Sequence, residues 1–289
     1  MEKSPIKNFL SLVKFSHTLF ALPFALIGYF IALEYSVYQF DWVLLLKVIL
    51  CMVFARSAAM AFNRYIDRDI DAANERTAEI REIPNGSISP KAALLFVIIN
   101  SALFVATTFF INELCFYLSP VALLVILGYS LTKRFTALCH LILGIGLALA
   151  PIGAYLAVIG TFSWLPLYFS FAVLFWVAGF DMIYSLQDEE FDRKMSLNSL
   201  PVFLGKKGAL MLSKLFHLVT AVFLILATLL AEGNYLFWIG TICFIGLLAY
   251  QHTLVKANDL SKVNLAFFTT NGIASVIFSI FVILSFYLA

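Results

Sequence analysis

Two clusters of acidic residues lie where long apolar segments of this sequence meet charged loops. The first cluster spans residues 56–71 and reads R-S-A-A-M-A-F-N-R-Y-I-D-R-D-I-D. Its polar row is spaced so that an α-helix carries every member on one face. Carboxylates at the mouth of a membrane helix are costly without a partner, and a divalent cation is a common partner. The members of the row are Arg56, Asn63, Asp67 and Asp71.

The second cluster spans residues 180–194 and reads F-D-M-I-Y-S-L-Q-D-E-E-F-D-R-K. Its polar residues also keep one helical face. Asp181 lies deepest in the apolar segment, where an isolated ionised carboxylate would cost several kcal/mol. We therefore expect Asp181 to meet a cation or an arginine, or to be protonated. The members of this row are Asp181, Tyr184, Gln187, Asp188 and Asp192.

The ligand types in the two clusters favour Mg²⁺ and a diphosphate. Oxygen donors without paired His or Cys are typical of Mg²⁺, which binds through a few carboxylates together with substrate phosphates. Lysine and arginine side chains near a diphosphate neutralise the charge that develops as it leaves. Basic or hydrogen-bonding residues follow each cluster, and these are Arg68, Arg76, Arg81, Tyr129, Lys133, Arg193 and Lys194.

The composition predicts a polytopic membrane protein built from helices. Of 289 residues 62% are hydrophobic and 12% are charged, and the mean hydropathy is +0.96. A membrane β-barrel would need alternating strands, which a run such as 219–231 lacks. We expect one domain, residues 1–289, with the lipid bilayer as a partner and no nucleic acid. The four cysteines have no metal-binding spacing and predict neither a disulfide nor a zinc site.

About nine membrane spans of roughly 20 residues can be drawn. Lysine and arginine concentrate in the N-terminal tail and in the loops after the even-numbered spans, so these segments are predicted to be cytoplasmic. This places the protein in a bacterial-type cytoplasmic (inner) membrane, with the active-site loops on the cytoplasmic side. The predicted spans are 15–34, 42–66, 91–111, 117–132, 136–159, 163–187, 208–231, 235–252 and 263–288.

The motifs resemble those of the UbiA-type intramembrane prenyltransferases, and most closely the bacterial 4-hydroxybenzoate polyprenyltransferases and their menaquinone-branch relatives. The similarity rests on N-x-x-x-D-x-x-x-D from Asn63 and on D-x-x-Y-x-x-Q-D-x-x-x-D from Asp181. It extends to Y-x-x-x-K at Tyr129, R-T-A-x-x-x-x-x-I-P-x-G from Arg76, and S-L-P-x-x-x-G from Ser199. The N-terminal K-F-S-H-T-L-F-A-L-P also reads like this group.

The resemblance implies nine helices around a central cavity, with cytoplasmic loops as a cap over its mouth. It also implies Mg²⁺ as the cofactor, a polyprenyl diphosphate donor and an aromatic acid acceptor. The metal and diphosphate residues would be Asn63, Asp67, Asp71, Asp188 and Asp192. The substrate-binding residues would be Asn63, Arg56, Arg76, Tyr129, Lys133, Tyr184, Arg193 and Lys194. The catalytic residues would be Asp181, Lys133 and Arg56.

Two positions depart from the family pattern. Arg64 stands where many members have a further Asp, which removes one possible metal ligand, and Ser196 stands where a Gly is common. The histidines are scattered, and for them we expect core or interface roles rather than ligation. The broader alternatives are a futalosine-pathway menaquinone precursor, a haem or a chlorophyll-type ring as acceptor, and a membrane transporter of an anionic solute. A CDP-alcohol phosphotransferase is disfavoured because its D-G-x-x-A-R signature is missing.

Overall fold

A computed structural model describes residues 5–13 and 20–288 of the chain. Within these residues the secondary structure is helical apart from one bridge between Lys256 and Asp259. A π-helical turn, Leu265–Thr270, runs directly into the last helix. The helices in chain order are α1 Pro5–Leu12, α2 Leu22–Glu34, α3 Trp42–Ile66, α4 Arg68–Ala73, α5 Glu75–Ala78, α6 Pro90–Phe109, α7 Glu113–Thr132, α8 Cys139–Ile159, α9 Trp164–Ser185, α10 Glu189–Lys194, α11 Leu200–Leu230, α12 Tyr235–Leu254 and α13 Asn271–Ser285.

Eight helical segments of the described chain are long and apolar enough to cross a membrane, which confirms an all-helical membrane protein. They are α3, α6, α7, α8, α9, α11, α12 and the continuous stretch Leu265–Ser285. The first predicted span, 15–34, corresponds in part to α2, which has 13 residues. Residues 15–19 of that span, and His17 with them, lie outside the described residues. Eight of the nine predicted spans are therefore present, with α2 as a shorter apolar helix.

Two helix starts differ from the predicted spans because capping residues extend the helices. The predicted span 117–132 begins at Glu113, since the side chain of Asn112 accepts a hydrogen bond from the backbone of Cys115. The predicted span 208–231 begins at Leu200, where the Ser199 hydroxyl accepts from the backbone of Val202. Helix α11 is kinked at Gly205, whose φ of 69° suits a residue without a side chain.

Helix α9 is the most buried element of the bundle and carries the second acidic cluster at its end. Phe169, Trp176 and Val177 on it are fully buried. It packs against α8 so closely that a side chain on Gly144 would overlap the carbonyl oxygen of Leu174. Such small-residue contacts are typical of membrane helix packing. The burial fixes the position of the polar residues at the end of α9.

An apolar cavity with a volume of about 370 Å³ lies between α3, α7 and α8. Met60 and Tyr129 line it nearest the ends of α3 and α7 that carry the polar motifs, with Arg56 one helical turn before Met60, and this end is called the mouth. At the other end of the cavity the walls come from residues such as Leu118, Leu156 and Phe162. The bundle therefore contains the cavity that the sequence predicts.

The segments 67–88 and 186–199, here called the cap, follow α3 and α9 at the same end of the bundle. They contain the short helices α4, α5 and α10. The amphipathic α1 packs against the first of these segments, with Leu12 buried beside Ile83 and the ring of Phe9 stacked on Phe96. The cap is thus held by contacts with both the bundle and the N-terminal helix.

Candidate active site

Asp67 is the most heavily partnered carboxylate of the cap and is only 3% exposed. One of its oxygens lies 3.1 Å from Lys133 Nζ, and the other lies 3.2 Å from a guanidinium nitrogen of Arg134. The Asn63 side-chain amide donates a hydrogen bond of 3.0 Å to the same carboxylate. These contacts hold the end of α3 against the end of α7, so the motifs on the two helices lie in one site.

Asn63 is bonded through both atoms of its side-chain amide. While its nitrogen donates to Asp67, its oxygen accepts a hydrogen bond of 3.0 Å from Arg64. Arg64 is buried and its Nε has no hydrogen-bond partner in the described chain. The arginine that departs from the family pattern therefore orients the asparagine beside Asp67.

Asp188, at the end of α9, is held from across the cap by Arg76. The Arg76 guanidinium donates to both carboxylate oxygens, with 3.0 Å between Nε and Oδ1, and this fork geometry is the strong form of such a pair. Asn74 donates a further hydrogen bond to Asp188, and Arg76 also lies over the ring of Tyr184. The two segments of the cap meet through these contacts.

Asp71 and Asp192 are the two cap carboxylates with a marked change in proton affinity. Burial raises the pKa of each to about 6, against an ordinary value near 3.8. The positive charge of Lys133 lowers the pKa of both carboxyls, whereas the charge of Asp188 raises it. Lys133 therefore interacts with three of the four carboxylates, including Asp67.

The deepest acid, Asp181, lies beside a residue that the motif analysis had assigned to the core or an interface. Its Oδ2 is 2.7 Å from Nδ1 of His140, a residue at the start of α8 that is 3% exposed. We expected a cation, an arginine or a proton as the partner of Asp181. The partner is a histidine because the fold places the start of α8 against α9, and no spacing in the sequence reports that contact.

Arg56 and Tyr129 both line the mouth of the cavity. Within the described residues Arg56 forms no ion pair, and its buried Nε has no hydrogen-bond partner. An arginine in an apolar wall without an acidic neighbour is costly and marks a position where an anion would be stabilised. In the described chain Arg56 therefore stands without a counter-ion at this end of the cavity.

Two predicted substrate-binding residues lie at the surface of the cap. Arg193 is bonded to Glu189 and to the carbonyl oxygen of Val202, with 58% of its side chain exposed. Lys194 is exposed. Their predicted roles remain predictions. Conversely, Arg134 and Asn74 contact the carboxylates directly, although motif spacing did not single them out.

In the described part of the chain the carboxylates are not arranged as a complete set of metal ligands. No three His, Cys, Asp or Glu side chains there come together as a metal-binding group. The reason is that Asp67 and Asp188 already hold cationic side chains, and Asp71 lies 3.4 Å from Arg81. However, Oδ2 of Asp71 is buried without a hydrogen bond, and all candidate donors are oxygens. These residues fit a hard divalent cation once their basic partners turn toward an anion.

Comparison with known proteins agrees with this arrangement of helices. The UbiA prenyltransferase family model matches residues 21–273. A 4-hydroxybenzoate octaprenyltransferase of Aliivibrio fischeri (strain MJ11) is 30% identical over 244 residues, or 82% of each chain. The apo structure of a UbiA homolog from Aeropyrum pernix K1 has a TM-score of 0.83 at 31% identity and covers 93% of this chain and 97% of its own.

A UbiA homolog from Archaeoglobus fulgidus, bound to GPP and Mg²⁺, has a TM-score of 0.73. At 21% identity it shows the shared fold, over 97% of this chain and 100% of its own. The bundle, with its cavity and its polar cap, is therefore a membrane-embedded prenyltransferase fold. This chain belongs to the UbiA prenyltransferase family.

Proposed function

We propose that this enzyme transfers a polyprenyl group from an allylic polyprenyl diphosphate to the ring of 4-hydroxybenzoate, as in ubiquinone biosynthesis. The observation that carries the proposal is the position of two acidic helix ends and their basic partners at the mouth of an apolar cavity. The relatives named as 4-hydroxybenzoate octaprenyltransferases support this acceptor. They favour neither the other acceptors nor a transporter.

The donor diphosphate would bind in the cap. Lys133, Arg76 and Arg81 each sit beside a carboxylate and can turn from it to phosphate oxygens as the donor enters. The four cap acids Asp67, Asp71, Asp188 and Asp192, together with Asn63, would hold Mg²⁺. When bound, Mg²⁺ would offset the negative charge that grows on the departing diphosphate.

The prenyl chain would occupy the cavity below the cap. Apolar side chains form nearly all of its wall, so the allylic carbon is kept away from water while the C–O bond breaks. Tyr129 at the mouth offers both a hydroxyl for the diphosphate and a ring face that attracts a developing cation. The cavity wall includes the exposed residues Val121 and Phe162, so a long chain can continue toward the lipid.

The acceptor would bind between Arg56 and Asp181. Arg56, without an ion pair in the described chain, would hold its carboxylate. A ring carbon then forms the new C–C bond to the allylic carbon, whose bond to the diphosphate oxygen breaks. The ring carbon loses its proton to Asp181, and the electrons of that C–H bond restore aromaticity. The location we propose is a bacterial inner membrane, with the cap on the cytoplasmic side.

The test is transfer of a radiolabelled polyprenyl diphosphate to a panel of aromatic acids in membranes containing the protein. We expect Mg²⁺-dependent transfer to 4-hydroxybenzoate, with none in the presence of EDTA. Asp67→Ala and Asp188→Ala should each reduce transfer at least 100-fold, since each removes a carboxylate that would hold the Mg²⁺ of the donor. Asp69→Ala is the matched control, because Asp69 lies in the same motif but is 84% exposed.

Two results would contradict the proposal. Full activity of both variants, at unchanged protein levels, would show that the cap acids do not bind the donor. Transfer to a different acid and never to 4-hydroxybenzoate would overturn the acceptor while leaving the donor site in place.

A further inference from the structure

We propose that His140 is a positioning residue of the reaction, which holds Asp181 as an oriented carboxylate beside the acceptor ring. The inference deepens the proposed function and rests on it. It concerns a histidine outside the acidic motifs, at the start of α8. Among the described residues His140 forms no hydrogen bond to a predicted metal ligand, and its hydrogen bond to Asp181 is the contact through which it would act.

The hydrogen bonding of His140 differs from that of a histidine used for packing. Nδ1 of His140 is 2.7 Å from Asp181 Oδ2, while its buried Nε2 has no hydrogen-bond partner in the described chain. The buried His217 instead uses both nitrogens, one toward the Trp176 carbonyl oxygen and one toward His252. Because an unmade hydrogen bond to a buried polar atom is costly, the position of His140 is explained by its contact with Asp181.

Asp181 is partly exposed, whereas the residues beside it on α9 are buried. Its neighbours Phe180, Met182 and Ile183 are at most 2% exposed, whereas a quarter of the Asp181 side chain is accessible. Oδ2 is occupied by His140, and Oδ1 has no hydrogen bond to another described residue. The histidine thus fixes one oxygen and leaves the other without a hydrogen bond in the described chain.

The surroundings place Asp181 between the cap and the cavity. Asp181 lies four residues before the end of α9 at Ser185, where the cap begins, and its partner His140 lies at the start of α8, one of the helices that line the cavity. An acceptor ring located here has the diphosphate on one side and the prenyl chain on the other. Asp181 Oδ1 is therefore placed to take a proton from that ring.

The hydrogen bond from Nδ1–H of His140 has two effects on this step. It fixes the rotamer of Asp181, which is needed because proton transfer requires close and directed contact. It also stabilises the anionic form, so that Asp181 enters the step as a carboxylate and leaves it as a neutral acid. The proton it takes is the ring proton displaced by the new C–C bond, and the donor's oxygen retains the electrons of the broken C–O bond.

The test compares three variants with the wild type in the membrane transfer assay. His140→Leu removes the hydrogen-bond donor to Asp181, whereas His140→Asn retains an N–H near the position of Nδ1. His217→Leu is the matched control, because it removes a buried histidine that has no contact with Asp181. For each variant the melting temperature in detergent and the KM for the polyprenyl diphosphate are also measured.

We expect His140→Leu to reduce kcat about 30-fold with a KM for the donor within about threefold of wild type. His140→Asn should recover most of kcat, and His217→Leu should lose stability without a comparable fall in kcat per folded molecule. A kcat for His140→Leu within twofold of wild type, or an Asn variant no better than the Leu variant, would overturn the inference. Wild-type protein that transfers to no aromatic acid would instead overturn the proposed function, and the role of His140 with it.

Discussion

At the scale of single residues, three of the four acids proposed to hold the metal are paired with bases. Asp67 meets Lys133 and Arg134, Asp188 meets Arg76, and Asp71 lies near Arg81. The basic side chains of these pairs are partly exposed, so the arginines and lysines can move. Binding of a metal diphosphate at these residues, as proposed, would therefore exchange partners among charges that are already assembled.

The fork geometry of Arg76 makes a sharp prediction. Arg76→Lys keeps the charge but cannot donate to both oxygens of Asp188, so the cap loses its alignment. We expect the KM for the donor to rise about tenfold, measured by initial rates at saturating acceptor. Arg68→Lys serves as the control, since Arg68 bonds the backbone of Tyr65 in its own helix end. A KM unchanged in Arg76→Lys would show that the pair plays no part in donor binding.

The raised pKa values of Asp71 and Asp192 predict that the metal requirement depends on pH. Below a pKa of about 6 each carboxyl binds a proton, which a metal ion must displace. The Mg²⁺ concentration for half-maximal activity should therefore rise about tenfold from pH 7.5 to pH 5.5. Titrations of Mg²⁺ at saturating substrates measure this shift. An equal requirement at both pH values would contradict it.

The prediction that one helix carries each polar row is corrected by the structure, because the helix of the first row ends at Ile66 and that of the second at Ser185, and each row continues on a separate short helix. The spacing also did not predict which bases meet the acids. The four-residue period brought Asn63 and Asp67 together at the end of α3, as the 3.0 Å hydrogen bond confirms. Arg134 and Asn74 come from other segments, and His140 reaches Asp181 across 41 positions of the chain. Contacts of that kind depend on how α7, α8 and α9 pack, and one sequence carries no periodic signal for them.

At the scale of secondary structure elements, the end of α10 carries a strained residue at a position that the family pattern had marked. Ser196 has a φ of 55°, in the left-handed region that favours glycine. The strain lets the backbone of Leu197 donate to the carbonyl oxygen of Asp192, which closes the helix. Serine at this position, where a glycine is common, therefore strains the backbone without changing its path.

Replacing Ser196 should relieve this strain. We expect Ser196→Gly to raise the free energy of unfolding by roughly 0.5 kcal/mol, since the relief is partly offset by the larger entropy of an unfolded glycine. Thermal midpoints in one detergent measure it. Glu232→Gly, at the other non-glycine residue with positive φ among the described residues and outside the cap, should give a similar gain. Ser196→Ala should give none, and an equal gain in that variant would rule out strain as the cause.

The membrane spans were predictable from hydropathy because the bilayer imposes a length on each helix. The predicted span 42–66 coincides with α3. The seventh span was placed too late, because the first turns of α11 contain Lys206 and Lys207 and are not part of an apolar run. Amphipathic α1 gave no apolar run of sufficient length and was absent from the predicted spans. Capping and surface packing thus determine the helix starts and the surface helix that hydropathy did not predict.

At the scale of the whole molecule, the cavity connects the cap with the lipid-facing surface. Its volume of about 370 Å³ is enclosed chiefly by small and aliphatic residues, such as Ala122 and Gly153. Substrate length should therefore be limited by the walls of the cavity rather than by the cap, where only the diphosphate is bound.

A bulky residue in the cavity wall tests whether the wall, rather than the cap, limits the length of the prenyl chain. Ala122→Phe should reduce kcat/KM for a long polyprenyl diphosphate at least tenfold more than for a geranyl donor, because only the long chain passes that point. Ala102→Phe is the control, since Ala102 is exposed on α6 and does not line the cavity. The ratio of kcat/KM for the two donors is the readout. An equal loss for both donors would place the obstruction at the reacting end.

The paired charges of the cap also have a consequence for the resting protein. Four unopposed carboxylates would repel one another whenever metal was scarce, and the cap would then depend on the cation for its shape. In the metal-free cap, Lys133, Arg134, Arg76 and Arg81 act as counter-ions to three of these carboxylates. We therefore expect the cap to keep its shape when magnesium is scarce, so that transfer would stop without unfolding and would resume once the ion and the donor return.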